Sequence, residues 1–212
     1  MTRVLIANQE SVRRAARIVR EGGLVIYPTD TVYGLGCDPF NVRAVRRLIA
    51  AKRRPRKPLP VLASSIKDAE RIAALTGRAR MLALKFWPGS LTIVLRKREA
   101  LPDVVTAGRG TVALRIPSNR IALRLTELSG GLLVGTSANI SGGKPPITAA
   151  EAERELGDAV DVIIDGGPSS LRKPSTVVDA TGEEIRLLRE GPIEYDVVAR
   201  AVGRWKEGRT CL

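Results

Sequence analysis

The stretch YPTDTVYGLGCD places hydroxyl and carboxylate side chains directly after an apolar run. Thr29, Thr31 and Tyr33 supply hydroxyl groups that donate or accept hydrogen bonds. Gly34 and Gly36 let the backbone approach a ligand closely or take a positive φ angle. The stretch therefore predicts a ligand-binding turn. A turn whose hydroxyl groups satisfy its own backbone is the alternative interpretation.

The stretch GTSANISGG has a similar character farther along the chain. Ser137, Asn139 and Ser141 alternate with small residues ahead of two glycines, and amides and hydroxyls in this arrangement suit an anionic oxygen. The G-x-x-x-x-G-K-[ST] spacing of a Walker loop is missing. The pattern predicts an anion-binding loop, and an ordinary Asn/Ser loop is the alternative.

The segment from Lys52 to Lys57, KRRPRK, carries five cations within six positions. Clustered like charges repel one another unless an anion or solvent relieves them. Pro55, Pro58 and Pro60 stiffen the segment, so that its cations can be held in place. We expect this basic loop to bind phosphate groups. A solvated basic loop and a nucleic-acid patch are the alternatives.

Arg115 interrupts the otherwise apolar strand pattern TVALRIP. A charge on a partly buried strand needs a partner, and arginine binds a carboxylate or a phosphate through two parallel hydrogen bonds. The position therefore predicts either a ligand-binding guanidinium or a structural ion pair with a carboxylate at the edge of the core.

The composition limits the chemistry that these residues can perform. The chain has no histidine, which excludes Ser-His and Cys-His nucleophiles and His-ligated zinc. Its two cysteines suggest neither a disulfide nor a metal framework. The formal net charge of +13 implies a polyanionic partner, and an aromatic content of 3% argues against single-strand binding by base stacking.

Alternating strand and helix patterns surround these stretches. Helical periodicity follows Asn41, and a T-x-x-E pattern from Thr148 to Glu151 opens another helix. STVVDA and EIRLLRE flank Thr181 and Gly182 as a hairpin. The prediction is one α/β domain with a mixed sheet. No apolar run approaches the roughly 20 residues that span a bilayer, and the N-terminus lacks a signal-peptide core, so we expect a cytoplasmic protein.

Taken together, the motifs resemble those of a known family. YPTDTVYGLG, the basic loop with KPLPVL, WPGSLTIVL, TVALRIP, TSANISG, STVVD and REG occur in one order across residues 24–191. The chain resembles the YrdC-like family of L-threonylcarbamoyladenylate synthases, in its single-domain form.

The resemblance implies a twisted mixed α/β sheet with helices on its faces and a basic concave pocket. It implies a synthase domain over residues 1–195 and a basic C-terminal helix or tail over 196–212. The implied reaction converts L-threonine, bicarbonate and ATP with Mg²⁺ into threonylcarbamoyl-AMP and pyrophosphate. A partner transferase then modifies adenosine 37 of tRNA, and direct contact with RNA is a further expectation.

The resemblance also implies roles for individual residues. Threonine would be bound by Thr31, Arg115 and Ser175. The catalytic residues would be Lys52, Arg54, Ser137 and Asn139. ATP would be bound by Lys52, Arg54, Lys57, Thr111, Gly135, Ser137, Asn139, Ser141 and Arg189, while Mg²⁺ would arrive with ATP rather than on protein side chains.

Two departures from the family pattern concern the basic loop. KRRPRKPL is one residue shorter than the usual K-x-R-P-x-x-[KN]-P-L spacing, which leaves the pairing of its cations with phosphates open. A histidine that some relatives carry just after the loop would fall near Leu62.

The rival functions are a double-stranded RNA or tRNA binder of the same fold and, ranked last, a carbamoyl-transfer module of hydrogenase maturation.

Overall fold

A computed structural model of the chain describes residues 3–53 and 57–202. The described residues form eleven strands and eight α-helices. The strands are β1 (Arg3–Ile6), β2 (Val25–Tyr27), β3 (Gly34–Gly36), β4 (Val61–Ala63), β5 (Leu91–Arg96), β6 (Thr111–Arg115), β7 (Leu132–Val134), β8 (Thr136–Ser137), β9 (Val162–Asp165), β10 (Thr176–Asp179) and β11 (Arg186–Arg189). The helices are α1 (Gln9–Arg20), α2 (Val42–Ala51), α3 (Ile66–Glu70), α4 (Gly77–Phe86), α5 (Asp103–Thr106), α6 (Arg120–Leu128), α7 (Ala149–Leu156) and α8 (Tyr195–Ala201).

The strands belong to two mixed sheets. The first sheet has the order β1-β9-β2-β3-β8, and the second has the order β11-β10-β5-β6-β4-β7. Each sheet contains both parallel and antiparallel neighbours, for example β2 parallel to β9 and antiparallel to β3. The predicted mixed α/β fold is therefore confirmed, with its strands divided between two sheets.

The chain passes from the second sheet to the first at Gly135, between β7 and β8. A Cβ atom at this position would lie 2.5 Å from Cγ of Leu62, which is too close for any side chain. The amide of Gly135 donates to the carbonyl of Pro60 at 2.9 Å. The run GLLVGTS, residues 131–137, therefore forms two short strands, which the tight crossing at Gly135 separates.

Local capping explains where several helices begin. Asn8 and Ser11 form a reciprocal capping box at the start of α1. The predicted caps Asn41 and Thr148 both accept a hydrogen bond from the backbone amide three residues on. The predicted T-x-x-E box differs in one contact, because the Glu151 carboxylate accepts from the amide of Ile147.

Gly34 and Gly36 serve a purpose that the sequence did not predict. Both lie in β3, where a Cβ atom at either position would lie 2.9 Å from the ring of Tyr27. A Cβ atom at Gly36 would also lie 2.5 Å from the carbonyl oxygen of Val134. These glycines make room for a buried tyrosine and a neighbouring strand.

The C-terminal helix α8 packs against the core through Val198, which is fully buried. The C-terminal helix or tail implied over residues 196–212 includes most of α8, and its residues after 202 lie outside the described ranges. The boundary at residue 195 stays a prediction. None of the helices described is both long enough and apolar enough to cross a membrane.

Candidate functional site

The turn between β2 and β3 is tied together by the hydroxyl of Thr29. Its Oγ1 accepts from the amides of Thr31 and Val32 at 3.1 and 3.2 Å and donates to the carbonyl of Val32 at 2.6 Å. For Thr29 the self-satisfied turn is therefore the correct interpretation. The hydroxyl of Thr31 instead accepts a hydrogen bond from the side chain of Arg115.

Arg115 lies at the end of β6, with its side chain buried against this turn. Nη1 donates to Thr31 Oγ1 and Nε donates to the carbonyl of Gly89, both at 2.8 Å. Nη2 forms an ion pair with Asp30, and the two side chains are 7% and 8% exposed. Burial lowers the pKa of Arg115, and the charge of Asp30 opposes that shift. The structural ion pair is therefore present, while a substrate role for Arg115 stays a prediction.

Lys52 caps the C-terminal end of α2 and is almost completely buried. Its Nζ donates to the carbonyl oxygens of Ser137 and Asn139 at 2.5 and 2.6 Å. Its own carbonyl accepts from the amide of Ser141 at 3.0 Å. Lys52 therefore fixes the TSANISG loop at three points, a contact that the sequence did not predict. Its predicted contact with phosphate stays a prediction.

The TSANISG loop also presents oxygen atoms that have no donor. Asn139 Nδ2 donates to the carbonyls of Ile140 and Gly143 at 2.7 and 2.8 Å. Asn139 Oδ1 and Ser141 Oγ are buried without a hydrogen-bond partner. Buried polar atoms without partners are uncommon in folded proteins and call for an explanation. A ligand or an ordered water that donates here would supply one.

Ser175, which precedes β10, joins two strands of the second sheet. Its Oγ lies 2.7 Å from Thr92 Oγ1 on β5. Arg189 on β11 donates to the carbonyl of Ser175 from both Nε and Nη2, at 3.0 and 2.9 Å. Ser175 and Arg189 were predicted to bind threonine and ATP respectively, and the structure places them in direct contact.

The remaining predicted residues are distributed around these clusters. Thr111 begins β6, four residues before Arg115, which corresponds to about 13 Å along a strand. Lys57 is exposed. Arg54 lies outside the described residues. Gly135 occupies the crossing between the two sheets. The structure thus brings Thr31 to Arg115, Lys52 to Ser137 and Asn139, and Ser175 to Arg189.

Two residues of the site escaped the sequence interpretation. Asp30 was visible as a carboxylate inside the TDT stretch, and the need of Arg115 for a partner was the signal that could have selected it. Thr92 was visible as a hydroxyl within the apolar strand LTIVLRK. In both cases the partner is distant in the chain, by 85 positions for Asp30 and 83 for Thr92.

Tyr33 connects the turn to the segment after β9. Its hydroxyl donates to the carbonyl of Gly167 at 2.8 Å and accepts from the amide of Gly166 at 3.2 Å. Burial raises the pKa of Tyr33 to about 12, so the hydroxyl stays protonated at neutral pH. Within residues 3–53 and 57–202, Cys, Asp and Glu side chains form no cluster of three or more that could hold a metal ion.

Comparison with known proteins identifies the relatives of this chain. A family model described as "Telomere recombination", which covers the Sua5, YciO and YrdC proteins, matches residues 17–191. The chain belongs to the Sua5/YciO/YrdC family. This finding confirms the resemblance drawn from the motifs.

Three members of the Sua5/YciO/YrdC family show the extent of the similarity. Threonylcarbamoyl-AMP synthase of Pyrococcus abyssi is 42% identical over 194 residues, which are 91% of this chain but 57% of that protein. A putative threonylcarbamoyl-AMP synthase of Mycobacterium tuberculosis (strain CDC 1551 / Oshkosh) is 41% identical over 191 residues, covering 89% of this chain and 88% of the relative. The crystal structure of P. abyssi Sua5 complexed with L-threonine superposes with a TM-score of 0.91 at 39% identity, over 96% of this chain and 61% of that one.

Proposed function

We propose that the chain is an L-threonylcarbamoyladenylate synthase, which converts L-threonine, bicarbonate and ATP into threonylcarbamoyl-AMP, pyrophosphate and water. The observation that carries this proposal is its similarity to P. abyssi Sua5, whose solved structure holds L-threonine. The buried cluster of Thr31, Arg115 and Asp30 supports it, because a guanidinium and a hydroxyl together suit the carboxylate of an amino acid.

The proposed reaction does not need a histidine. The amine of threonine and bicarbonate give a carbamate, whose oxygen attacks the α-phosphorus of ATP while pyrophosphate leaves. Displacement of this kind depends on positioning and on neutralisation of charge more than on an acid–base side chain. Lysine, arginine and backbone amides can provide both, and the Mg²⁺ that accompanies ATP belongs to the substrate.

We assign two halves to the site. In the amino-acid half, Thr31, Arg115 and Ser175 bind threonine. In the nucleotide half, residues of the basic loop, the start of β6, the crossing between the sheets, the TSANISG loop and the strand β11 bind ATP in a basic concave pocket. These residues are Lys52, Arg54, Lys57, Thr111, Gly135, Ser137, Asn139, Ser141 and Arg189.

The deciding experiment measures pyrophosphate released from ATP by the purified chain. Release should require both L-threonine and bicarbonate, and mass spectrometry should detect threonylcarbamoyl-AMP. Reactions that lack one substrate, and a reaction with D-threonine, are the controls. Pyrophosphate release that is independent of threonine would contradict the proposal.

The fate of the product and the partners are further parts of the proposal. A separate transferase would pass the threonylcarbamoyl group to tRNA, in the cytoplasm. The rival function, a non-catalytic RNA binder, is favoured by one observation, the four exposed arginines of α1, which are Arg13, Arg14, Arg17 and Arg20. RNA binding without any threonine-dependent pyrophosphate release would favour the rival.

A further inference from the structure

Two parts of the chain hold the guanidinium of Arg115. The carbonyl of Gly89 precedes β5, and Asp30 and Thr31 lie in the turn between β2 and β3. Three nitrogens of one planar group are therefore bonded at once, which fixes both its position and its plane. The guanidinium has five N–H groups, so these contacts leave further donors for a ligand.

Asp30 is itself fixed by a third segment. Its backbone carbonyl accepts from the amide of Leu171 at 2.9 Å and from Ser170 Oγ at 3.1 Å. That segment leads directly to Ser175, the third residue assigned to threonine. Asp30 thus connects the turn, β6 and the approach to Ser175, which are the three parts of the amino-acid half of the site.

The hydrogen bonding of Asp30 is incomplete for a purely structural ion pair. Its Oδ1 pairs with Arg115, whereas Oδ2 is buried without a hydrogen-bond partner. A buried carboxylate oxygen that lacks a donor reduces stability, and a pair that only held the fold together would be better replaced by apolar side chains. A cost of this kind is expected where a charge is retained to orient a functional group.

We infer that Asp30 is a positioning residue for amino-acid binding, which acts by orienting the guanidinium of Arg115 toward the carboxylate of the substrate. The inference rests on the proposed function, because it names the element that organises the threonine half of the same site. It adds a residue that the motif comparison did not assign to the site.

Asp30→Asn is the first test variant, because asparagine keeps the shape and the Oδ1 acceptor while it removes the charge. The KM for threonine should rise about tenfold, because one charge-assisted contact is lost. The KM for ATP should change less than about twofold. Asp30→Glu, which restores the charge one methylene farther away, should recover part of the loss. Asp161→Asn is the matched control, since Asp161 forms an exposed ion pair with Arg47.

A double-mutant cycle tests whether Asp30 acts through Arg115. In an Arg115→Lys background, Asp30→Asn should raise the threonine KM much less than it does in the wild type. Equal effects in both backgrounds would overturn the inference. An unchanged threonine KM in Asp30→Asn would overturn it as well. So would an activity loss confined to kcat that only follows the loss of folded protein measured by circular dichroism.

The proposed function fails separately from this inference. If the wild-type chain released no threonine-dependent pyrophosphate, the synthase proposal would be wrong. Threonine binding by calorimetry would then still report on Asp30: weaker binding in Asp30→Asn than in Asp161→Asn supports the inference, and equal binding in both variants, or none in the wild type, refutes it.

Discussion

The side-chain nitrogen of Lys52 donates to the backbone carbonyl of Ser137 at 2.5 Å, across 85 positions of the chain. A second hydrogen bond, to the carbonyl of Asn139, means that this buried ammonium group holds the TSANISG loop in place. The resemblance predicts that Lys52 binds a phosphate of ATP. The two roles make different predictions, because a structural role of Lys52 affects the stability of the folded protein even without nucleotide.

Lys52→Met separates these roles, since methionine fills a similar volume without donating a hydrogen bond. Two carbonyls lose a donor, and each loss costs about 1–3 kcal/mol, so the melting temperature should fall by at least about 4 °C. Turnover should fall by a factor of 100 or more, on the order of 3 kcal/mol. Differential scanning fluorimetry and pyrophosphate release measure the two effects. Lys67→Met, on the exposed face of α3, is the control, and an unchanged melting temperature in Lys52→Met would leave only the phosphate role.

Ser137→Ala and Asn139→Ala should differ from each other. Among the described hydrogen bonds of Asn139 are two that brace the loop, to Ile140 and Gly143. Asn139→Ala should therefore lower both turnover and melting temperature. The Ser137 hydroxyl makes no such contact within the described residues, so Ser137→Ala should lower turnover at least tenfold and shift the melting temperature by less than about 2 °C. Parallel losses of activity and stability in Ser137→Ala would show that the loop is structural.

Alkaline pH should destabilise the protein through buried acidic groups. Burial raises the pKa of Cys37 from 9.0 to about 12 and that of Tyr33 from 10.0 to about 12. The folded state therefore holds protons that the unfolded state releases, and this contribution is complete below pH 9 and lost as the pH rises toward 12. Each group lowers the free energy of unfolding by up to about 1.4 kcal/mol per pH unit in that window. Urea unfolding between pH 8 and 11 should show a shallower decline in Cys37→Ala than in the wild type, and identical slopes would contradict the assignment.

The parts of the fold that sequence could predict are those with local causes. The helix α1 combines an apolar face with caps three residues apart, and Asn41 and Thr148 cap their helices through the same short-range contact. Such signals are present within a few positions of the chain. The strand β3, Gly34–Gly36, carries no such signal, because glycine has low strand propensity. It is defined by its pairing with β2 and with β8, which lies far along the chain.

The site was predictable in composition but not in pairing. A lone arginine in an apolar strand requires a partner, so the sequence shows that Arg115 needs one without showing that it is Asp30. Lys52 was expected to bind an anion because it lies in a cluster of cations. The sequence gives no indication that its side chain donates to two backbone carbonyls from a distant loop. Long-range contacts of this kind follow from the arrangement of the two sheets, which in turn depends on the crossing at Gly135.

The arginines of α1 provide a test for contact with RNA. Arg13, Arg14 and Arg17 are exposed, and none of the ion pairs within the described residues includes them. If they contact the phosphate backbone, Arg13→Glu/Arg17→Glu should weaken binding of a tRNA transcript and reduce the slope of log affinity against log salt by about one per lost contact. Arg186→Glu/Arg200→Glu carries the same charge change elsewhere and is the control. An equal loss of tRNA affinity in both variants would show that net charge alone, and not contact through α1, explains the effect.

Arg115→Lys tests the division of the site into two halves. Lysine keeps the positive charge, but its single nitrogen cannot reproduce the planar group that Gly89, Thr31 and Asp30 bind together. The threonine KM should therefore rise by more than tenfold, which corresponds to about 1.4 kcal/mol. The ATP KM should change by less than about threefold, on the order of 0.6 kcal/mol, because other residues hold the phosphates. Steady-state pyrophosphate release, with each substrate varied in turn, measures both constants. Arg96→Lys, at the exposed end of β5, controls for the substitution itself. If Arg115→Lys instead raised the ATP KM and left the threonine KM unchanged, Arg115 would be a phosphate ligand and the division would be wrong.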